Sequence, residues 1–192
     1  MTPLQQQLGN TDIYLIDQLL RGRIQPGMKI LDAGCGEGRN IRYLISQGYD
    51  VSAVDQDPQR IPGLPPEKFR REPIESMSFP DASFDFIIAS AVLHFAHDES
   101  HFEAMLSRIF DKLRPGGILF CRLASSIGIE HQIQQITGRR YLLPDGSDRF
   151  LVDAELLQHI AEGRNLQLLD PIKTTIVENQ RAMTTWVLLK SR

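Results

Sequence analysis

Residues 30–40, ILDAGCGEGRN, constrain this chain more than any other stretch: an apolar run breaks off at three glycines, Gly34, Gly36 and Gly38, and then opens onto RYLISQGY. Glycine loses more backbone freedom on folding than any other residue, so its use here marks a turn other residues cannot make or a backbone that a ligand approaches closely. MKILDA before the glycines is predicted as a buried strand. A helix is predicted over about 38–47, with Gly48 marking its end. Ordinary strand-to-helix turns also carry glycine, so the stretch alone leaves both readings open.

The remaining chain alternates strands and helices. Asn10 or Thr11 can cap an amphipathic helix over about 11–23, DIYLIDQLLRGR, which Gly22 and Pro26-Gly27 end. VSAVD is a second strand. DPQR can begin a short helical turn, but IPGLPP cannot continue one, because proline removes a donor and clashes with the preceding turn. A brief strand is expected around KFRRE, a buried strand at FDFIIAS, an amphipathic helix over 99–113, and a strand at ILFCRLA after the RPGG turn. Residues 125–152 lose this regularity and read as an insertion over the sheet edge. A helix over 152–163 and a C-terminal β-hairpin over about 165–190, made of LQLLDPIKTTIVE and AMTTWVLLK, follow. Such alternation predicts one α/β domain over 1–192 with a mostly parallel sheet, right-handed crossovers and helices on both faces. Ligands of such sheets sit at the carboxyl ends of the strands.

The formal net charge of −3 offers no general electrostatic reason to bind nucleic acid or an anionic membrane. Nothing after Met1 resembles a signal peptide, and the longest apolar run, FDFIIASAVLHFA, is too short to span a bilayer, so a cytoplasmic protein is expected. Cys35 and Cys121 form no CxxC pair and read as two reduced thiols.

Asp55 closes the second strand about 17 residues after Gly38, where a carboxylate can accept from both hydroxyls of a ribose. The ligand should therefore carry a ribose. A dinucleotide fingerprint would place a third glycine where this chain has Arg39, and no Gly-Lys-Ser or Gly-Lys-Thr sequence forms a phosphate loop. Nicotinamide, flavin and nucleoside triphosphate ligands are disfavoured.

LDAGCGEGRN, VDQDP, SFPDASFDFIIASAVLHF and LRPGGILF, in this order, resemble the motifs of the class I S-adenosylmethionine-dependent methyltransferases. The GRN ending followed by YLISQGYDVSAVD is similar in particular to tellurite-resistance-type methyltransferases and their small relatives. The resemblance implies a Rossmann-like seven-stranded sheet of order 3-2-1-4-5-7-6 with the last strand antiparallel, S-adenosylmethionine as cofactor and S-adenosylhomocysteine as product. By motif position, Asp32 would hold the methionine amino end, the turn of Gly34, Cys35 and Gly36 would run beneath the cofactor, and Asp55 would grip the ribose with Gln56 beside the adenine. Ile74 and Glu75 would read the adenine edge, although Pro73 stands where many relatives have an acidic residue. Ser90 and Ala91 would offer a carbonyl to the cofactor ammonium, and Arg39 and Asn40 would reach the methionine carboxylate or cap the turn.

Methyl transfer needs alignment and exclusion of water, and a base only where the acceptor must lose a proton. His94, just after the fourth strand, is the candidate base, with a satisfied core histidine as the rival reading. His97 and His101 lack the interposed Glu of HExxH, so no metal site is expected. Arg139, Arg140 and Arg149 can bind an anionic acceptor or face solvent. Tyr14, Tyr141 and Trp186 can line the acceptor side or serve as packing aromatics. SAVL after the fourth strand lacks the Asn/Asp-Pro-Pro-aromatic motif of base-modifying enzymes, which with the net negative charge disfavours nucleic acid and favours a small-molecule acceptor; a monomer or homodimer is expected. A non-catalytic regulator or partner subunit that binds S-adenosylmethionine or S-adenosylhomocysteine would need the same glycine turn and Asp55, and only turnover separates the two.

Overall fold

A computed structural model describes residues 2–57 and 60–191. Two helices come first, α1 (Pro3–Leu8) and α2 (Ile13–Leu20). The expected helix over 11–23 is shorter at both ends, and its cap is Asp12, whose carboxylate accepts the N–H of Tyr14. Thr11 instead donates its hydroxyl to the Leu8 carbonyl at the end of α1.

The strands and helices then run β1 (Lys29–Ala33), α3 (Arg42–Ser46), β2 (Asp50–Asp55), β3 (Phe69–Arg71), β4 (Phe84–Ser90), α4 (Glu99–Lys112) and β5 (Leu113–Ser125). Next come β6 (Gln134–Thr137), β7 (Arg140–Leu142), β8 (Asp148–Phe150), α5 (Ala154–Gly163), β9 (Leu166–Leu168), β10 (Lys173–Val177) and β11 (Arg181–Lys190). The expected helix over 38–47 contracts to α3 because Gly38 still belongs to the glycine turn, its carbonyl accepting from Ile41 and Arg42. The expected DPQR turn falls partly on Pro58 and Gln59, outside the described residues.

The main sheet has the order β3-β2-β1-β4-β5-β11-β10. The four pairings from β3 to β5 are parallel, and β11 lies antiparallel to β5. This is the expected arrangement with one change: the sixth position is split. The first arm of the C-terminal hairpin breaks between β9 and β10, both of which pair with β11. Pro171 has no N–H for a ladder, and Asp170 turns away to accept two hydrogen bonds from Arg23.

Side chains alternate across the sheet with the period of two that strands impose. Leu31, Ile87, Leu119, Cys121 and Trp186 pack on one face with α4 and α5, while Ile30, Phe86, Ile88, Phe120 and Val187 pack on the other with α2 and α3. The helices thus cover both faces. Among the described residues, neither the β2–β3 nor the β3–β4 crossover has an α-helix, only short 3₁₀ turns at Pro66–Lys68 and Ile74–Ser76.

The insertion is a second, antiparallel sheet, β6-β7-β8. It sits over the carboxyl ends of β4 and β5 rather than over the sheet edge: Leu143 and Leu151 pack on Ala124 of β5, and Arg140 donates to the Ala96 carbonyl beyond β4. Ser125 at the end of β5 bridges to Val152, where the chain returns. Both cysteines are buried and free. Among the described residues, no helix is long and apolar enough to cross a membrane.

Candidate functional site

The glycine turn lies where β1, β2 and β4 end, and each glycine has its own reason to be there. Gly34 has φ +77°, and a Cβ on it would fall 2.3 Å from Cγ2 of Val92. Gly36 has φ +50° and nothing within 4 Å of the same position, so the space beside it is open. The turn is tied to β2: Gly34 donates to the Val54 carbonyl at 2.8 Å, and Gly36 donates to Oδ2 of Asp55 at 2.8 Å. Oδ1 of Asp55 accepts from Asp57 at 2.9 Å. Each carboxylate oxygen has a further lone pair to offer.

A cavity of about 750 Å³ opens over this turn, lined on the sheet side by Gly34, Gly36, Asp55 and Gln56 and at its far wall by Ile74 and Glu75. Below it Asp32 is buried, with Oδ2 lacking any partner. Burial pushes its carboxyl up to about 7, against the pull of Arg39 and with a further push from Asp55.

A second cavity, of about 300 Å³, meets the first at Ala91 and Arg149, which line both. Ala91 turns the chain with φ +60° just after β4 and donates to the Arg122 carbonyl. Ser90, His94 and four arginines, Arg39, Arg122, Arg149 and Arg181, also line this cavity. Asp12 draws two of the arginines together: its Oδ2 is 2.8 Å from Arg122 and 3.8 Å from Arg39.

The family model described as a methyltransferase domain matches residues 13–170. The chain belongs to this methyltransferase family. It is 30% identical over 167 residues to a ubiquinone biosynthesis O-methyltransferase of Methylocella silvestris, covering 77% of this chain and 63% of that protein. The chain thus spans less than two thirds of that relative's length, and about half of a malonyl-[acyl-carrier protein] O-methyltransferase from Serratia marcescens that it also matches. The fold is shared with an S-adenosylmethionine-dependent methyltransferase from Methanosarcina mazei, at a TM-score of 0.72 and 21% identity over 90% of this chain and 97% of that one. It is shared too with the Burkholderia thailandensis 1,6-didemethyltoxoflavin-N1-methyltransferase, solved with 1,6-didemethyltoxoflavin and S-adenosylhomocysteine, at a TM-score of 0.68 and 21% identity over 97% of this chain and 79% of that one. These relatives establish the methyltransferase family without singling out its tellurite-resistance branch.

Within this methyltransferase domain the expected cofactor residues divide. Gly34, Gly36, Asp55, Gln56, Ile74, Glu75 and Ala91 line the larger cavity, and Arg39 and Ser90 line the smaller. Cys35 does not line either: its side chain packs in the core with Ile41 and Ile61, and burial, with Asp32 and Asp55 nearby, pushes the thiol well above its usual range. Asn40 is buried, and its Oδ1 accepts the Asp12 N–H at 3.1 Å. It pins the start of α2 to the glycine turn.

His94 lies in the smaller cavity, but its chemistry differs from that of a base. Nδ1 accepts the Ala124 N–H at 3.2 Å, and burial, with Arg149 nearby, lowers its pKa to about 4. The imidazole is neutral at pH 7, its one proton sits on Nε2, and it presents a donor to the cavity. The three aromatics expected at the acceptor side lie elsewhere. Trp186 is fully buried in the sheet core, Tyr14 bonds Thr175 Oγ1 through its hydroxyl at 2.6 Å beneath Arg122, and Tyr141 packs in the cluster of Ala124, Leu143 and Leu151.

His97 and His101 face the larger cavity, with Nε2 of His101 3.5 Å from Glu75. Among the described residues, no group of three His, Cys, Asp or Glu could hold a metal ion. Of the three insertion arginines, Arg139 pairs with Asp153, whereas Arg140 and Arg149 reach the larger cavity and Arg149 also the smaller one. The sequence reading gave no role to Asp12, Arg122 and Arg181, which line the smaller cavity from segments with no motif of their own, nor to Phe95, which closes the SAVLHF motif and lines the larger one.

Proposed function

We propose that this chain binds S-adenosylmethionine in the larger cavity and directs its methyl group to a small molecule in the smaller one. The observation that carries this reading is the open space over Gly36 beside the Asp55 carboxylate, in a cavity continuous at Ala91 with a second one. A ribose fits there: Asp55 keeps a lone pair on each oxygen after accepting from Gly36 and Asp57. Gln56, Ile74 and Glu75 would face the adenine and Asp32 the amino-acid end, while Arg39 and Ser90, on the smaller cavity, would lie on the acceptor side. The names of the ubiquinone and didemethyltoxoflavin enzymes support a small-molecule acceptor. Two buried free thiols fit the reducing, cytoplasmic compartment in which we place the protein.

When bound, S-adenosylmethionine supplies a methyl group on a positively charged sulfur that becomes neutral as the methyl leaves. The chain's own part is alignment and exclusion of water. Ala91 sets the boundary between the two cavities, and the β6–β8 sheet shields the acceptor from above. His94 holds its proton on Nε2 and orients the acceptor as a donor. The acceptor must therefore arrive as a nucleophile or release its proton to water.

Isothermal calorimetry tests this reading. S-adenosylmethionine and S-adenosylhomocysteine should bind, and NAD and ATP should bind far more weakly. Asp55→Ala should weaken S-adenosylhomocysteine by roughly tenfold to a hundredfold for each bond lost. Tighter binding of NAD, or unchanged affinity in the folded variant, would defeat it.

A further inference from the structure

We infer that the smaller cavity is a subsite for a carboxylate carried on a compact apolar body, so that the methyl acceptor is a small organic acid. This deepens the proposed function and rests on it. The chain as a whole is acidic, with a formal net charge of −3, yet this cavity collects four guanidinium groups against two carboxylates, Asp12 and Asp145. Asp12 serves both Arg39 and Arg122. Arg181 lies 4.0 Å from Asp145, whose carboxylate is already engaged by the N–H and hydroxyl of Ser147.

Arg149 has no carboxylate within ion-pair distance among the described residues. Its guanidinium lies over the Phe95 ring, 4.8 Å from the centroid, and Nη1 donates to the Asp148 carbonyl. Placed where the two cavities meet, it keeps donors free for a ligand, and a guanidinium fork matches the two oxygens of a carboxylate.

The rest of the wall limits what carries that charge. Leu143, Val177 and Met183 line the same small cavity. His94 adds no positive charge but offers an N–H, because Ala124 occupies its Nδ1. Donors without a neutralising partner, an apolar wall and a volume of about 300 Å³ describe an acid of modest size. A doubly charged phosphate ester would need more cation than Arg149 leaves uncommitted, since Arg181 is shared with Asp145.

The test uses the full chain saturated with S-adenosylhomocysteine and three probes of one shape, benzoate, benzamide and phenyl phosphate, titrated by NMR. Benzoate should bind at least tenfold more tightly than either other probe. Arg181→Gln, on a strand end away from the larger cavity, should bring benzoate to within about threefold of benzamide and leave S-adenosylhomocysteine affinity within about threefold. Arg149→Gln should do the same to the probes, so the outcome does not hang on one variant's folding. Equal binding of benzoate and benzamide, tighter binding of phenyl phosphate, or a preference that survives both substitutions overturns the inference. If S-adenosylhomocysteine itself fails to bind, the proposed function falls as well; if it binds and the benzoate preference is missing, this inference falls alone.

Discussion

The two cavities that meet at Ala91 are built from different materials. The larger rests on one side on backbone and carboxylates from short intervals of chain, the glycine turn, the end of β2 and the 3₁₀ turn at Ile74, and only its opposite side is closed by long side chains such as His97, His101 and Arg140. The smaller is walled by long side chains gathered from α2, the end of β4, β5, the insertion and the C-terminal strands. A site made by contiguous backbone tolerates little change of sequence, because its geometry is the geometry of the turn. A site made by side chains from distant segments can be rebuilt one residue at a time. Cofactor and acceptor recognition are thus separable, and four substitutions probe how far.

The largest effect should come from Gly34→Ala. Its φ of +77° disfavours any side chain, and the new Cβ would collide with Val92. Together these cost roughly 2–5 kcal/mol of stability, and S-adenosylhomocysteine affinity should fall by at least a hundredfold. Denaturant melts and calorimetry measure the two. A variant that melts and binds like the parent would show that the turn is not the rigid half of the site.

A buried group with a displaced pKa lies below the larger cavity and another lines the smaller, and the two respond to pH in opposite directions. Asp32 is raised to about 7 in the folded chain, so its contribution to stability is full below about pH 4 and is lost as pH rises toward 7. His94 is lowered to about 4, so its contribution is full above about pH 6.5 and is lost as pH falls toward 4. In the parent these trends oppose one another between pH 4 and 6.5. Asp32→Asn should unmask the His94 trend, a stability gain of roughly 3 kcal/mol from pH 4 to 6.5 relative to the parent's slope. His94→Gln should unmask the reverse. Urea melts across this range check both, and parallel curves for parent and variants would mean that neither group is held as described.

The smallest effect should come from Tyr14→Phe, which removes the hydroxyl bond to Thr175 without touching either cavity. About 1 kcal/mol of stability should be lost, with S-adenosylhomocysteine affinity unchanged in calorimetry. A clear loss of affinity would place Tyr14 back at the site.

Most of the main sheet was legible because its strands are short, strongly apolar and bounded by turn residues. FDFIIAS is β4, and the helix expected over 99–113 differs from α4 by one residue because Asp98 caps a regular apolar spacing. The departures have local causes. PLQQQL offers only Leu4 and Leu8 one turn apart, too few apolar positions to set a period, and QQIT is exposed throughout, so β6 showed no alternation. Pro171 split a strand that its flanking residues made look continuous.

The same difference runs through the site. Gly34, Gly36, Asp55 and Gln56 could be named because a few consecutive residues make that wall. Tyr14, Tyr141 and Trp186 were aromatic but aimed elsewhere, and nothing in single segments indicated that Arg122, Arg149 and Arg181 converge. The role of His94 turned on one hydrogen bond from Ala124, thirty positions away in the chain, which no local pattern encodes.

The bridge between Ser125 and Val152 has a consequence for how such a protein diversifies. The chain leaves the main sheet and rejoins it at neighbouring points, so the three-strand flap hangs from the fold like a cartridge in a socket. A flap of different length or charge could be exchanged there without altering a strand of the main sheet or a residue of the glycine turn. For an engineer it is the natural seam for grafting a new acceptor preference. For a lineage it offers a route to new substrates that leaves the glycine turn and Asp55 intact while recasting the wall that Arg140, Asp148 and Arg149 give the larger cavity.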